Sequence, residues 1–167
     1  GRLTRSRCGR TVCTSTLLCA VAVAWCGCQS AKSPCAEVDP LLGVDGGGNV
    51  LPGPGHPFSL VRINPLVELP HPTNGYETGR PIVGFVQTNV SGTGGGGRYG
   101  NFLVTPQLGE IDVYDKSTTL SEETSQVGYY SALLDRWGIR AELTSTPRVG
   151  VQRFTFPAGG GPHILIT

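Results

Sequence analysis

The segment of this chain best built for close chemical contact is a run of glycines. It reads Ser91-Gly92-Thr93-Gly94-Gly95-Gly96-Gly97-Arg98-Tyr99-Gly100. Gly92, Gly94 and Gly97 formally match the G-x-G-x-x-G spacing of dinucleotide sites. That chemistry needs a helix after the glycines, because the helix amino end holds the pyrophosphate. Here Asn101-Phe102-Leu103-Val104-Thr105-Pro106 follows, which reads as a strand. The Gly-Lys-Ser/Thr ending of a nucleotide-triphosphate loop is missing as well. Phosphate cradling is therefore excluded. What remains is a hairpin loop whose backbone can approach a ligand or a neighbouring domain closely, since glycine carries no side chain to hold it off.

Other reactive residues are scattered. His56, His71 and His163 are far apart and each sits beside a proline, so they read as loop or surface residues and not as a metal site. Asp45-Gly46 lacks the alternating acids of a calcium loop. Asn89-Val90-Ser91 matches a glycosylation sequon by pattern alone. No nucleophile motif of the Ser-His-Asp or Cys-His kind is present. Glu122 and Glu123 read as a solvated loop, and Glu110, Asp112, Asp135 and Glu142 as wet strand faces or turns. None of them is marked as an acid–base pair.

The elements that would position these residues change character along the chain. Arg2, Arg5, Arg7 and Arg10 give a positive start, followed by the apolar run from Leu17 to Trp25. That run is short of the ~20 apolar residues a membrane span needs. It fits the hydrophobic part of a secretory signal peptide over residues 1–28. Its end, Cys26-Gly27-Cys28, resembles a lipobox, with Cys28 as the lipidated residue and Trp25 where an aliphatic one is usual. All 6 cysteines lie between Cys8 and Cys35, so they belong to the leader and not to a disulfide-stapled core. Residues 29–37 are small and polar and read as a tether. The chain has no methionine, and it closes on the strand-like His163-Ile164-Leu165-Ile166-Thr167. Both ends suggest a piece of a longer reading frame, which would leave a large apolar face uncovered.

From Val38 onward the reading is all-β. Val61 and Ile63 alternate with polar neighbours, and Ile82 to Thr88 and Phe102 to Thr105 are strands. Ile111 and Val113 alternate with Glu110 and Asp112. Tyr130, Ala132 and Leu134 share a face, Arg136-Trp137-Gly138 turns, and Ile139, Ala141 and Leu143 return. Thr146-Pro147 turns again into a strand from Arg148 to Phe156. Period-two alternation with glycine and proline punctuation, and no sustained helical period, predicts a β-sandwich over residues 38–167, incomplete at its carboxy end. The formal net charge of +1, with charged residues at only 15%, gives no field to draw nucleic acid or an anionic membrane.

Three stretches resemble the family 92 glycoside hydrolases. Gly84-Phe85-Val86-Gln87-Thr88-Asn89-Val90-Ser91-Gly92-Thr93-Gly94, running on to Tyr99-Gly100-Asn101, is similar to one family segment, with Asn89 where histidine is usual. Gly128-Tyr129-Tyr130-Ser131, Gly138-Ile139-Arg140-Ala141-Glu142-Leu143-Thr144, Arg148-Val149-Gly150 and Arg153-Phe154-Thr155-Phe156-Pro157 match a second, longer run. Val38-Asp39-Pro40-Leu41-Leu42-Gly43 resembles the family opening. The Asp-Trp element of the family is replaced by Pro72-Thr73-Asn74-Gly75-Tyr76, and Pro57-Phe58-Ser59-Leu60-Val61 also departs from the pattern.

The resemblance implies the amino-terminal sandwich of a secreted, calcium-dependent, exo-acting α-mannosidase that inverts the anomeric centre of terminal mannosides. In such enzymes the catalytic acids and the calcium lie mainly in a helical carboxy-terminal barrel, so no catalytic residue and no metal ligand is expected in this chain. The sandwich is expected to wall the sugar pocket with Asn74, Gly75, Tyr76, Gln87, Asn89, Ser91, Gly92, Thr93 and Gly94. Its expected partners are a mannose-containing glycan, the helical domain, and a membrane only through a lipid on Cys28, which would place it in the bacterial cell envelope, periplasmic or outer-membrane, or else secreted. Tyr76, Tyr99, Tyr129, Tyr130 and Trp137 are the aromatic candidates for sugar contact. The alternative is a carbohydrate-binding or structural sandwich lipoprotein without catalysis.

Overall fold

Apolar residues at every second position can all be buried only if strands pair side by side and a second layer covers them. The computed structural model shows that arrangement for residues 33–45, 50–67, 75–88 and 102–167, which are the residues described. They lie within one unit spanning Ser33–Thr167. A short 3-10 turn at Pro34–Glu37 comes first, with no buried residue.

Eight strands follow: β1 Asn64–Val67, β2 Ile82–Val86, β3 Leu103–Leu108, β4 Leu120–Gln126, β5 Tyr129–Leu134, β6 Ile139–Ser145, β7 Gly150–Thr155 and β8 Pro162–Ile166. They form two four-stranded sheets, ordered β1-β2-β3-β8 and β4-β5-β6-β7. Every pairing is antiparallel. The second sheet is a plain meander, while β8 returns to pair with β3 after the meander is complete.

The two sheets share one core. Ile63, Val67, Ile82 and Phe85 of the first layer pack with Tyr130, Ala132, Leu134, Ile139, Ala141 and Leu143 of the second. Phe85 on β2 meets Phe154 on β7 with ring centroids 5.8 Å apart. The predicted hairpin is present, with Tyr130 opposite Leu143 and Leu134 opposite Ile139. Its turn holds Trp137 partly buried against the core, with the Arg136 guanidinium 4.9 Å from the indole centroid.

Two sequence expectations are corrected. Ile111 and Val113 are not on a strand; both are exposed. Gly109 at φ +96° ends β3. The buried Gln107 amide then donates to the Asp112 carbonyl (2.8 Å) and accepts from the Asp112 N–H (3.0 Å). The Asp112 carboxylate accepts the Tyr114 and Asp115 amides, both at 2.9 Å. These local bonds satisfy the backbone without a ladder, so alternation alone misleads here.

The second correction concerns Glu122 and Glu123, which lie on β4 and not in a solvated loop. Between Ser121 and Thr124 the register with β5 slips, with two residues opposing one, and Glu122 takes φ +48°. The bulge reverses the in–out order and turns Glu123 toward the interior. A strand with its alternation broken in the middle reads as a loop.

Gly84 shows how tightly the first sheet is built. A β-carbon there would lie 2.6 Å from Thr105 Oγ1 and 2.7 Å from the Val104 carbonyl, at φ +151°. Gly84→Ala should cost about 2 kcal/mol or more through overpacking and backbone strain. Thermal melting should show a clear drop in Tm for this variant, whereas Gly79→Ala, with nothing within 4 Å, should pay only its φ +78° backbone strain and lose less.

Candidate functional site

The described members of the expected pocket wall fall into two places. Gly75 accepts a hydrogen bond from the Val67 N–H at 2.9 Å, beside the end of β1 where β2 begins. Gln87 follows the end of β2, and its carbonyl accepts the Arg62 N–H at 3.0 Å, ahead of β1. The two points are separated by the run from Arg62 to Val67, roughly 16 Å for five residue steps. Asn74, Asn89, Ser91, Gly92, Thr93 and Gly94 lie outside the described residues, as do Cys28 and Tyr99. The topology does settle how the glycine run is connected. Val86 is opposite Leu103, so the chain that leaves β2 returns on its antiparallel neighbour, and a strand follows the glycines as expected.

The Tyr76 ring is buried. It is 1% exposed and part of the core. Its hydroxyl donates to Oε1 of Glu123, and Tyr130, fully buried, donates to the same oxygen at 2.7 Å. Burial, reinforced by the Glu123 charge, pushes both phenols far above the ordinary tyrosine range. The carboxylate that reads as solvated thus joins β4, β5 and the segment leading into β2. Charge-assisted bonds of this kind are the strong class of hydrogen bond.

On the outer face of the second sheet, Tyr129, Glu142, Thr144, Val151 and Arg153 line a shallow groove of about 270 Å³. Glu142 receives the Tyr129 hydroxyl at 2.6 Å and Arg153 through both nitrogens, Nε at 2.6 Å and Nη2 at 2.5 Å. These bonds hold its carboxyl ionised, with a pKa lowered to about 2, the Arg153 bond being the largest cause. A carboxylate so occupied is poorly suited to proton transfer at neutral pH. Asp135 accepts Thr119 and Ser121, and Asp112 and Asp115 are held low by neighbouring amide and hydroxyl bonds, with Arg136 alongside.

Among the described residues no group of three His, Cys, Asp or Glu side chains could hold a metal ion. No helix among them is long and apolar enough to cross a membrane. Of the expected sugar-facing aromatics, Tyr130 and Tyr76 are interior, Trp137 packs on the core, and Tyr129 is tied to Glu142. The signal for the Glu123 link was not available in the sequence, because it depends on the bulge.

A two-layer antiparallel sandwich of this order defines an all-β domain. The family is shown directly: residues 37–167 match the glycosyl hydrolase family 92 N-terminal domain, and this chain belongs to that family. It resembles the structure of the family GH92 α-mannosidase from Bacteroides thetaiotaomicron at 33% identity and a TM-score of 0.71, over 77% of this chain and 19% of that one. The same enzyme in complex with mannoimidazole gives 32% identity and a TM-score of 0.73, over 79% and 19%. An uncharacterized secreted glycosidase of Arthroderma benhamiae is 30% identical over 131 residues, 72% of this chain and 17% of that protein. The chain thus spans under a fifth of the relatives it matches.

Two measurements check this electrostatic picture. The chain has 5 tyrosines. Absorbance titration at 295 nm should leave Tyr76 and Tyr130 un-ionised until the domain unfolds in alkali. Their raised folded-state pKa values contribute stability below the ordinary tyrosine range near 10, and lose it as pH rises past that value. Two residues titrating late and together with loss of circular dichroism is the expected outcome. Glu142, whose pKa is depressed, contributes above its unfolded value of 4.5, and that contribution disappears as pH falls toward about 2. Acid melts of Glu142→Gln should therefore be flatter than those of the parent across that window.

Proposed function

We propose that this chain is the amino-terminal sandwich of a secreted, exo-acting α-mannosidase that releases terminal α-mannose with inversion. The observation that carries the proposal is the match of residues 37–167 to the family 92 amino-terminal domain, supported by the 33% identity to a family 92 α-mannosidase. In this reading the sandwich supports chemistry performed elsewhere in the polypeptide. An inverting hydrolase needs two carboxyl groups about 6.5–9.5 Å apart with a water between them. The carboxylates of Glu142, Asp135, Asp112 and Asp115 are occupied by hydrogen bonds and arginine contacts, which fits a supporting role. The calcium of the proposed enzyme finds no ligand set among the described residues, so the proposal assigns it no residue of this chain.

The sugar-pocket wall is proposed from the two sheet ends that the fold separates. One includes Asn74 and Gly75; the other includes Gln87, Asn89, Ser91, Gly92, Thr93 and Gly94. Tyr76 would act through the backbone it anchors, since its ring is buried. Gln87 is also held in place, because a β-carbon on Gly150 would lie 2.5 Å from its amide oxygen. We also propose the leader as a secretion signal at residues 1–28, with Cys28 lipidated, residues 29–37 as the tether and residues 38–167 as the sandwich domain.

The test expresses the longer polypeptide of the same reading frame and assays mannose release from α-1,2, α-1,3 and α-1,6 mannosides, with the product anomer read by proton NMR. The expected result is β-mannose as first product, activity abolished by chelation and restored by calcium, and no release by the 167-residue chain alone. No mannose from any linkage with calcium present, together with glycan binding by the 167-residue chain, would mean a binding sandwich instead.

A further inference from the structure

Two non-glycine residues among those described hold a left-handed φ, Glu122 and Phe58. Glu122 sits in the β4 bulge, which accounts for it. Phe58, at φ +58°, is the third residue of a tight turn in which the Ser59 N–H donates to the His56 carbonyl at 3.1 Å. Pro57 precedes it. That is the pattern of a type II turn, whose third position takes glycine or asparagine because a β-carbon crowds the backbone there. A phenylalanine in this place is strained. Such strain persists where the surrounding structure fixes it, and it collects at ligand-binding positions. Core packing does not offset it here, because the side chain is fully exposed, at 105%.

The surroundings do fix the turn. Gly55 bridges Arg62 across it, and the Ser59 hydroxyl donates to the Val61 carbonyl at 2.7 Å. The Leu60 N–H donates to the Pro147 carbonyl at 2.9 Å, which ties the turn to the β6–β7 connection. Val61 and Ile63 then enter the core, and between them the Arg62 N–H donates to the Gln87 carbonyl after β2. The Gln87 amide oxygen lies at the same sheet end, where a β-carbon on Gly150 would come 2.5 Å from it and 3.1 Å from Val61 Cγ1. Phe58 is thus an exposed aromatic ring on a pinned backbone, at the sheet end that holds Gln87.

We infer that Phe58 is a sugar-contacting residue, whose ring is the platform for the apolar face of a pyranose in the glycan, with the Gln87 amide as the polar group at the same end of the wall. A pyranose presents C–H groups on one face and hydroxyls at its rim, and an aromatic ring with a few well-placed polar groups suits both. The other aromatic candidates described have different tasks: Tyr76 and Tyr130 are buried, Trp137 packs on the core and Tyr129 is tied to Glu142. The inference rests on the mannose-containing substrate of the proposed function, but not on its hydrolysis.

The longer polypeptide of the same reading frame tests it, as parent, Phe58→Gly and Phe58→Tyr, with α-1,2-mannobiose as the probe. Calorimetry reads binding, a thermal melt reads stability, and mannose release gives KM and kcat. Glycine takes φ +58° freely, so Phe58→Gly should melt at or above the parent temperature. It should weaken mannobiose binding about fivefold and raise KM, with kcat little changed, as expected for a contact made to the bound substrate. Phe58→Tyr should bind like the parent. Unchanged binding and KM in Phe58→Gly overturn the inference. So does a drop of several degrees in its melt, which would make the ring a packing residue against the rest of the polypeptide. Mannobiose binding that weakens in Phe58→Gly, without mannose release by any of the three proteins, keeps this inference and sinks the mannosidase reading; mannose release that is indifferent to Phe58 does the reverse.

Discussion

Two antiparallel sheets closing on one apolar interior is the constraint from which the rest of this domain follows. Tyr130, Ala132 and Leu134 reach that interior only in the register that sets Tyr130 opposite Leu143 and Leu134 opposite Ile139. A slip of one residue would turn all three outward and bring Ser131 and Leu133 in. The same constraint explains the close approach of β3 to Gly84 and the placing of Phe85 against Phe154. Where the constraint is unmet, at Ile164 and Ile166, apolar surface is left facing solvent.

At the margin of this apolar interior stands the half-buried Glu123, and the hydroxyls of two buried tyrosines meet its carboxylate. The arrangement draws together β4, β5 and the residues that lead into β2. Its geometry depends on the bulge at Glu122, so a local irregularity of the backbone and a long-range polar contact require each other. The outer face of the same sheet uses a different device. There the half-buried Glu142 and Tyr129 and the exposed Arg153 form a cluster across three strands, in which solvent at the arginine screens the charges.

A sandwich core is a rigid base for loops. The β1–β2 and β2–β3 connections leave opposite ends of the first sheet.

Much of this was legible from residue order. Alternation marked β5 and β6, a β-branched run marked β2, the Trp137 and Thr146-Pro147 turns bounded the strands around them, and the strand after the glycine run spoke against phosphate binding. Those are short-range properties, set by which face of a strand each side chain must occupy. The family motifs, too, are a matter of sequence, and they led to the family found. The sequence alone could not show that Ile111 and Val113 belong to a turn pinned by Gln107, because Asp112's local bonds compete with the ladder. It could not show that Glu123 turns toward Tyr76 and Tyr130, because a bulge inverts the parity on which alternation rests. Nor could it show that Tyr76 is a core residue, or that Gly75 and Gln87 stand at opposite ends of one sheet. Those outcomes depend on contacts between residues far apart in the chain, and only the packing of one sheet on the other decides them.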